Sequence, residues 1–217
     1  MFFDKHDDDE NRHESRFALR PTEVLSLTRK TTVMITATAR AILDTSPVRS
    51  RSRLIFEKAD KQTVRLPALA FLELPSLVRR ELDRRGCTIP QVWDAAKPVN
   101  VIKGSFLRAG QIDWAALCSV SRISTILIFR NSIADHVSEI GSEGDVHKLQ
   151  GVGGDKIGDS REICVVGREF IIRQYQDYEG VKPPPIKHRG IDDAFVGKAS
   201  MVHYFYGGKW IGLTGAD

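Results

Sequence analysis

Residues Asn100 to Asn131 constrain the fold of this chain more than any other stretch. They hold three short apolar runs, rich in β-branched or aromatic side chains and cut apart by glycine and serine, which is the pattern of consecutive antiparallel strands. Strands are expected over Val99 to Phe106, Ile112 to Val120 and Ser124 to Arg130. Side chains alternate along a strand, so Ile112, Trp114, Ala116 and Cys118 share one face and Asp113, Ala115, Leu117 and Ser119 the other. Ile126 and Ile128 likewise oppose Thr125, Leu127 and Phe129. Both faces are largely apolar, and such strands lie in a sheet covered on two sides.

Around this centre the punctuation is less uniform. Pro75 to Arg85 reads as the clearest helix: Ser76 is placed to cap it, Leu77, Val78 and Leu82 share a face, and Gly86 stops it. Gly207-Gly208, between Ser200–Tyr206 and Lys209–Leu213, is a two-residue hairpin signal. Leu54–Phe56 and Thr63–Leu66 are expected to pair as a short hairpin, and Ile163–Val166 with Phe170–Ile172 as another, turning at Gly167-Arg168. Glycine-rich Ser132–Asp159 and Tyr175–Val196, with its Pro183-Pro184-Pro185, are expected as irregular surface segments. Gly151-Val-Gly153-Gly154 lacks the Lys-Ser/Thr and the strand-loop-helix setting of a phosphate loop. The expected fold is mainly β or α+β: an antiparallel sheet of consecutive hairpins with the 75–85 helix packed on it. It would occupy residues 54–217, behind a weakly ordered arm over residues 1–53.

The formal charge of +4 comes from 32 basic residues interspersed with 28 acidic ones, so no nucleic-acid partner is expected. Arg49-Ser-Arg51-Ser-Arg53, the one basic run, reads as a solvated linker. No apolar run is long enough to cross a bilayer.

Three resemblances bear on the reading. Gly104-Ser-Phe106 followed by Gly110-Gln-Ile-Asp113-Trp-Ala-Ala-Leu117, within residues 100–131, resembles one repeat of the FG-GAP type found in integrin-like propellers. In that family the loop between the strands often carries calcium-binding carboxylates. Here Leu107-Arg108-Ala109-Gly110 puts an arginine in their place and no further copies recur, so the resemblance implies a strand-loop-strand unit and no calcium site. Arg29-Lys30, the mildly apolar Thr31–Leu43 and Asp44-Thr-Ser-Pro47 resemble a secretory signal over 29–47, although Arg40 and Asp44 interrupt it; a surface helix over Thr31–Leu43 is the alternative. Gly86-Cys87-Thr-Ile-Pro90-Gln91, Asp113-Trp-Ala-Ala-Leu-Cys118-Ser and Gly208-Lys-Trp210 together resemble uncharacterised exported bacterial proteins over about residues 75–217. That implies a periplasmic or extracellular location, with the cytoplasm as alternative. Cys87 at the end of the helix and Cys118 late in the second strand are expected to form a disulfide in preference to three reduced thiols, leaving Cys164 as a core thiol.

No established active-site motif occurs. The favoured function is a non-enzymatic, exported binding or inhibitory module that engages a protein or glycan through Trp93, Tyr175, Tyr178 and Trp210, with no cofactor and no metal. One alternative is a hydrolase using His188, Asp192 and His203, since a histidine beside a carboxylate can serve as a base. Another is a structural protein that adds strands to a partner's sheet.

Overall fold

The computed structural model describes residues 47–214. The signal-like segment and most of the expected arm lie outside them. Pro47 opens helix α1 (Pro47–Gln62), which absorbs both the basic run and the expected strand Leu54–Phe56. Helix-forming Arg, Glu, Lys, Ala and Gln surround that apolar triplet, and Arg53 meets Glu57 one turn later at 2.8 Å, so local preference overrides the β-like signal. Strand β1 (Arg65–Pro67), helix α2 (Ser76–Arg84) and strand β2 (Thr88–Pro90) follow. Helix α2 buries Val78 and Leu82 but leaves Leu77 43% exposed. Ser76 is its first residue, with Pro75 at the cap position and no side-chain cap, while Gly86 at φ +71° ends it as expected.

The three central strands are β3 (Val101–Gly104), β4 (Asp113–Val120) and β5 (Ile123–Phe129). Ser121 and Arg122 join the last two at φ 51° and 65°, the backbone sign that a tight two-residue hairpin with matching twist requires. Ser132–Asp159 proves to be more than a loop: it holds β6 (Ser138–Gly144) and the ribbon β7 (Leu149–Gly151) with β8 (Ile157–Asp159). After β9 (Arg161–Val166), the expected hairpin is replaced by a strand-to-helix joint, and Phe170–Ile172 belong to helix α3 (Arg168–Tyr178). The chain closes with β10 (Gly190–Phe195), β11 (Ala199–Tyr206) and β12 (Lys209–Thr214), the last two meeting through Gly207-Gly208.

Besides the β7–β8 ribbon, these elements make two larger antiparallel sheets where the sequence suggested one. The first runs β1-β2-β4-β5-β6, with β3 also on β4; the second runs β12-β11-β10-β9. Trp114, Ala116, Cys118, Leu127 and Phe129 pack toward Val78 and Leu82 of α2, so this face of the first sheet is covered by helix. Ala115, Leu117, Ile126 and Ile128 on its other face meet Ile163 and Ile191 of the second sheet. The far side of that sheet offers Val166, Val202, Tyr204 and Leu213 to Ile171 of α3. The order of layers is therefore α2, first sheet, second sheet, α3. The alternation expected along β4 and β5 holds on both faces, and each Leu, Ile or Phe among these side chains contributes about 1.5–3 kcal/mol on full burial.

Two polar side chains stitch the sheets together. Asn100, 1% exposed and at φ 71°, donates its amide to the carbonyls of Pro90 (2.7 Å) and Arg161 (2.9 Å) and accepts from the Ile163 N–H (2.9 Å). Its amide thereby does for the edge of β9 what a neighbouring strand would do. Arg161, 2% exposed, grips Asp193 through Nε (2.8 Å) and Nη2 (2.7 Å) and reaches the carbonyls of Ser124 (3.1 Å) and Gly141 (2.5 Å) across the gap. Covalent support lies elsewhere: Cys87 and Cys118 form the expected disulfide, Cα atoms 5.0 Å apart, pinning the end of α2 to β4. Cys164 is free and half-buried, and burial, helped by the charges of Glu162 and Asp192, pushes its thiol up to about 11.

Candidate functional site

The segment after the three prolines follows an extended path, and its side chains alternate. Ile186 packs into the α3 side of the second sheet. His188 stacks on Tyr204, ring centroids 4.3 Å apart and planes 9° from parallel. Its ring nitrogens face carbonyl acceptors, Nδ1 that of Arg189 (3.0 Å) and Nε2 that of Phe205 (2.9 Å). Between and after these anchors, the Lys187 N–H donates to the Tyr204 hydroxyl at 2.9 Å and the Arg189 N–H to the Ser105 carbonyl at 3.0 Å. Residues 187–189 are thus bolted down through backbone and ring, and the Lys187 and Arg189 side chains are left to line a cleft.

The opposite wall is the amino end of α3. Gly167 caps it without a side-chain hydrogen bond, and among the described residues the N–H groups of Arg168, Glu169 and Phe170 meet no acceptor. Nη1 of Arg189 lies where a Cβ at Gly167 would sit, which puts this guanidinium against the start of the helix. A third wall comes from the β3–β4 loop through Ser105, Ala109 and Gly110. Asp113 holds that loop: Oδ2 accepts from the N–H groups of Phe106 (2.9 Å) and Leu107 (3.0 Å), and Oδ1 from Asn131 N–H (3.0 Å) and the Gln111 amide. The aspartate of the FG-GAP-like stretch serves as a backbone clamp here.

The cleft so formed has a volume of about 690 Å³. Arg168, Arg173, Lys187 and Arg189 line it, and among the described residues none of their side chains has an ion pair or hydrogen bond. Glu169 is the only carboxylate among the lining residues. The unpaired first turn of α3 adds a partial positive charge to the same space. Fixed donors and surplus positive charge around a concavity favour an anionic occupant.

The sequence-derived candidates occupy different places. His188 is in this cleft, but as its floor, with both ring nitrogens within 3.0 Å of backbone carbonyls, to one of which a neutral imidazole donates. Asp192 lies on the α3 face of the second sheet and lines a separate cavity with Gln174 and Ser200. Burial raises its carboxyl above the ordinary range, Asp193 adding to this and a hydrogen bond from Ser200 opposing it. His203 is on the opposite face of the sheet, its Nε2 3.6 Å from Asp193 Oδ2. Burial works to raise the Asp193 carboxyl too, yet His203 and the bidentate Arg161 hold it down to about 2. His188, Asp192 and His203 do not converge. Of the aromatics, Trp93 is 49% exposed beside Gly158. Tyr175 and Tyr178 ride on α3, half-buried and exposed respectively. Trp210 is half-buried against the core between the sheets, edge-on to Phe205 at 5.6 Å.

The four cations escaped the sequence reading. The signal that could have found them is the alternation Ile186-Lys187-His188-Arg189 after a proline run, combined with Gly167-Arg168-Glu169 read as a helix start. Among the described residues no group of three or more His, Cys, Asp or Glu is placed to hold a metal, and no helix is long and apolar enough to cross a membrane. Comparison with family models, with curated proteins and with solved structures finds no match.

Proposed function

We propose that this chain is a non-enzymatic, exported binding module whose ligand is anionic and enters the cleft at the amino end of α3. The observation that carries this reading is the set of four cations around one concavity with no hydrogen bond or ion pair among the described residues, in contrast to Arg65 and Arg161, which are matched with carboxylates. The separation of His188, Asp192 and His203 favours binding over hydrolysis. Export is supported by the Cys87–Cys118 disulfide, a bond that persists in oxidising compartments. The protein or glycan expected as partner would present its acidic groups here.

The test is isothermal titration of the full chain with citrate and with pyrophosphate at constant ionic strength, repeated on the Lys187→Ala/Arg189→Ala double variant. Binding that weakens by about tenfold or more in a variant with an unchanged unfolding midpoint supports the cleft. Absence of binding by either anion, or equal affinity in the variant, overturns it. Export is checked separately by lysing cells of the source directly into denaturant with an alkylating agent, which exposes every free thiol: only Cys164 should be labelled, whereas labelling at all three cysteines contradicts an oxidising compartment.

A further inference from the structure

We infer that the anion taken by this cleft is a phosphate monoester in its dianionic form, carried on a small organic body; the inference rests on the anion-binding reading above. Charge is the first argument. Four cations against one lining carboxylate leave a surplus of three positive charges, before the partial charge of the α3 amino end is added. A carboxylate or a sulfate ester brings one negative charge and leaves most of that surplus uncompensated. A phosphate monoester brings close to two near neutral pH and three acceptor oxygens.

Donor geometry is the second argument. The first turn of α3 leaves three N–H groups without acceptors, Nη1 of Arg189 lies close to Gly167 at its start, and Arg168 lines the same cleft with a second planar guanidinium. A phosphoryl group, with three oxygens pointing in different directions, can use backbone and side-chain donors together, whereas a planar carboxylate offers two. The third argument is size. About 690 Å³ is several times what a lone oxyanion fills and falls in the range of small-molecule sites. Phe170, Ile186 and Ala109 supply apolar wall beyond the cations, which suits an organic body attached to the ester oxygen.

The experiment compares matched probes on the full chain: 4-nitrophenyl phosphate, 4-nitrophenyl sulfate and inorganic phosphate, titrated calorimetrically at constant ionic strength above and below the second ionisation of the phosphate, near pH 6. Above it the phosphate ester is expected to bind about tenfold more tightly than the sulfate ester, and more tightly than inorganic phosphate. Below it that advantage should shrink severalfold. Glu169 and His188 also line the cleft beside the four cations, and the sulfate ester, whose charge is constant across this range, reports any titration of the protein itself. Arg168→Ala and Arg189→Ala, checked for unchanged circular dichroism, should each reduce phosphate-ester affinity more than sulfate-ester affinity. Equal affinity for the two esters, or no change of their ratio with pH, would sink the dianion inference while leaving anion binding intact. Failure of every probe and of citrate and pyrophosphate would remove both. Vesicles containing phosphatidic acid form the last arm: binding to them without binding of the soluble ester would overturn the small-body assignment and move the source to a lipid headgroup.

Discussion

Arginine plays opposite parts at the two ends of the second sheet. At the seam with the first sheet, Arg161 is buried and wholly engaged by Asp193 and two carbonyls. Nearby, Arg65 is shared between Asp60 (2.5 Å) and Asp145 (2.7 Å), and Asp145 also accepts from the hydroxyls of Ser119 (2.6 Å) and Ser124 (2.5 Å). Burial alone would raise the Asp145 carboxyl; these hydrogen bonds outweigh it and hold the group below its ordinary range. At the α3 cleft, Arg168, Arg173 and Arg189 are exposed and unmatched. A cation that has lost its water must be compensated within the protein, whereas an exposed one can wait for a ligand. The difference separates arginines that hold the fold from those available to bind.

Breaking the seam should have the largest effect. Arg161→Met leaves Asp193 buried without its counter-charge and is expected to cost about 3–5 kcal/mol, read as a fall in the urea midpoint. The same substitution at Arg173 should leave that midpoint within about 0.5 kcal/mol of wild type. Next comes the covalent tie. Removing it with Cys87→Ala/Cys118→Ala frees a separation of 31 residues and should lower stability by roughly 3.5 kcal/mol in the same assay, without altering anion affinity.

Carboxylates at the seam sharpen the contrast through pH. Asp159 is buried and accepts the Arg161 backbone N–H at 2.9 Å. Burial, reinforced by the charge of Asp145 and opposed by that N–H, raises its carboxyl to about 6. A folded-state value above the unfolded one, near 4, means that the native state holds the proton more tightly. That contribution is present below about pH 4 and is lost as pH rises through about 6, a change of about 3 kcal/mol. Asp193, held at about 2, runs the other way: its contribution is present above about pH 4 and is lost as pH falls toward 2. Urea midpoints between pH 4 and 7 should therefore fall with rising pH less steeply, or rise more steeply, in Asp159→Asn than in wild type. Parallel profiles would show that Asp159 is not titrating as described. The smallest effect is expected at the cleft. Tyr204→Phe removes the acceptor of the Lys187 N–H and should cost about 1 kcal/mol in the midpoint while weakening anion binding severalfold.

How legible this was depends on how far each feature reaches along the chain. The β4–β5 pair could be read because alternation is local and both faces needed apolar partners. Helix α3 could not, because Phe170-Ile171-Ile172 suits either a strand or a helix, and the decision rests on Ile171 seating against Val202 and Tyr204. The two-sheet arrangement was hidden for a related reason: it hangs on Asn100 meeting the backbone of residues 161 and 163, more than sixty positions away. Whether an arginine is paired is a property of the folded chain. Arg85 finds Glu139 across 54 residues, and nothing near Arg168, Arg173 or Arg189 in the sequence marks them as left without a partner among the described residues.

The most direct check on the α3 cleft is an amide chemical-shift titration of the full chain with 4-nitrophenyl phosphate. The expected result is that perturbations concentrate on residues 167–170, on Ser105, Ala109 and Gly110, and on residues 187–189, with saturation at a single stoichiometry. Shifts centred on a different cavity, the one lined by Gly141, Asp193 and His203, or spread over the surface in proportion to exposed charge, would contradict it.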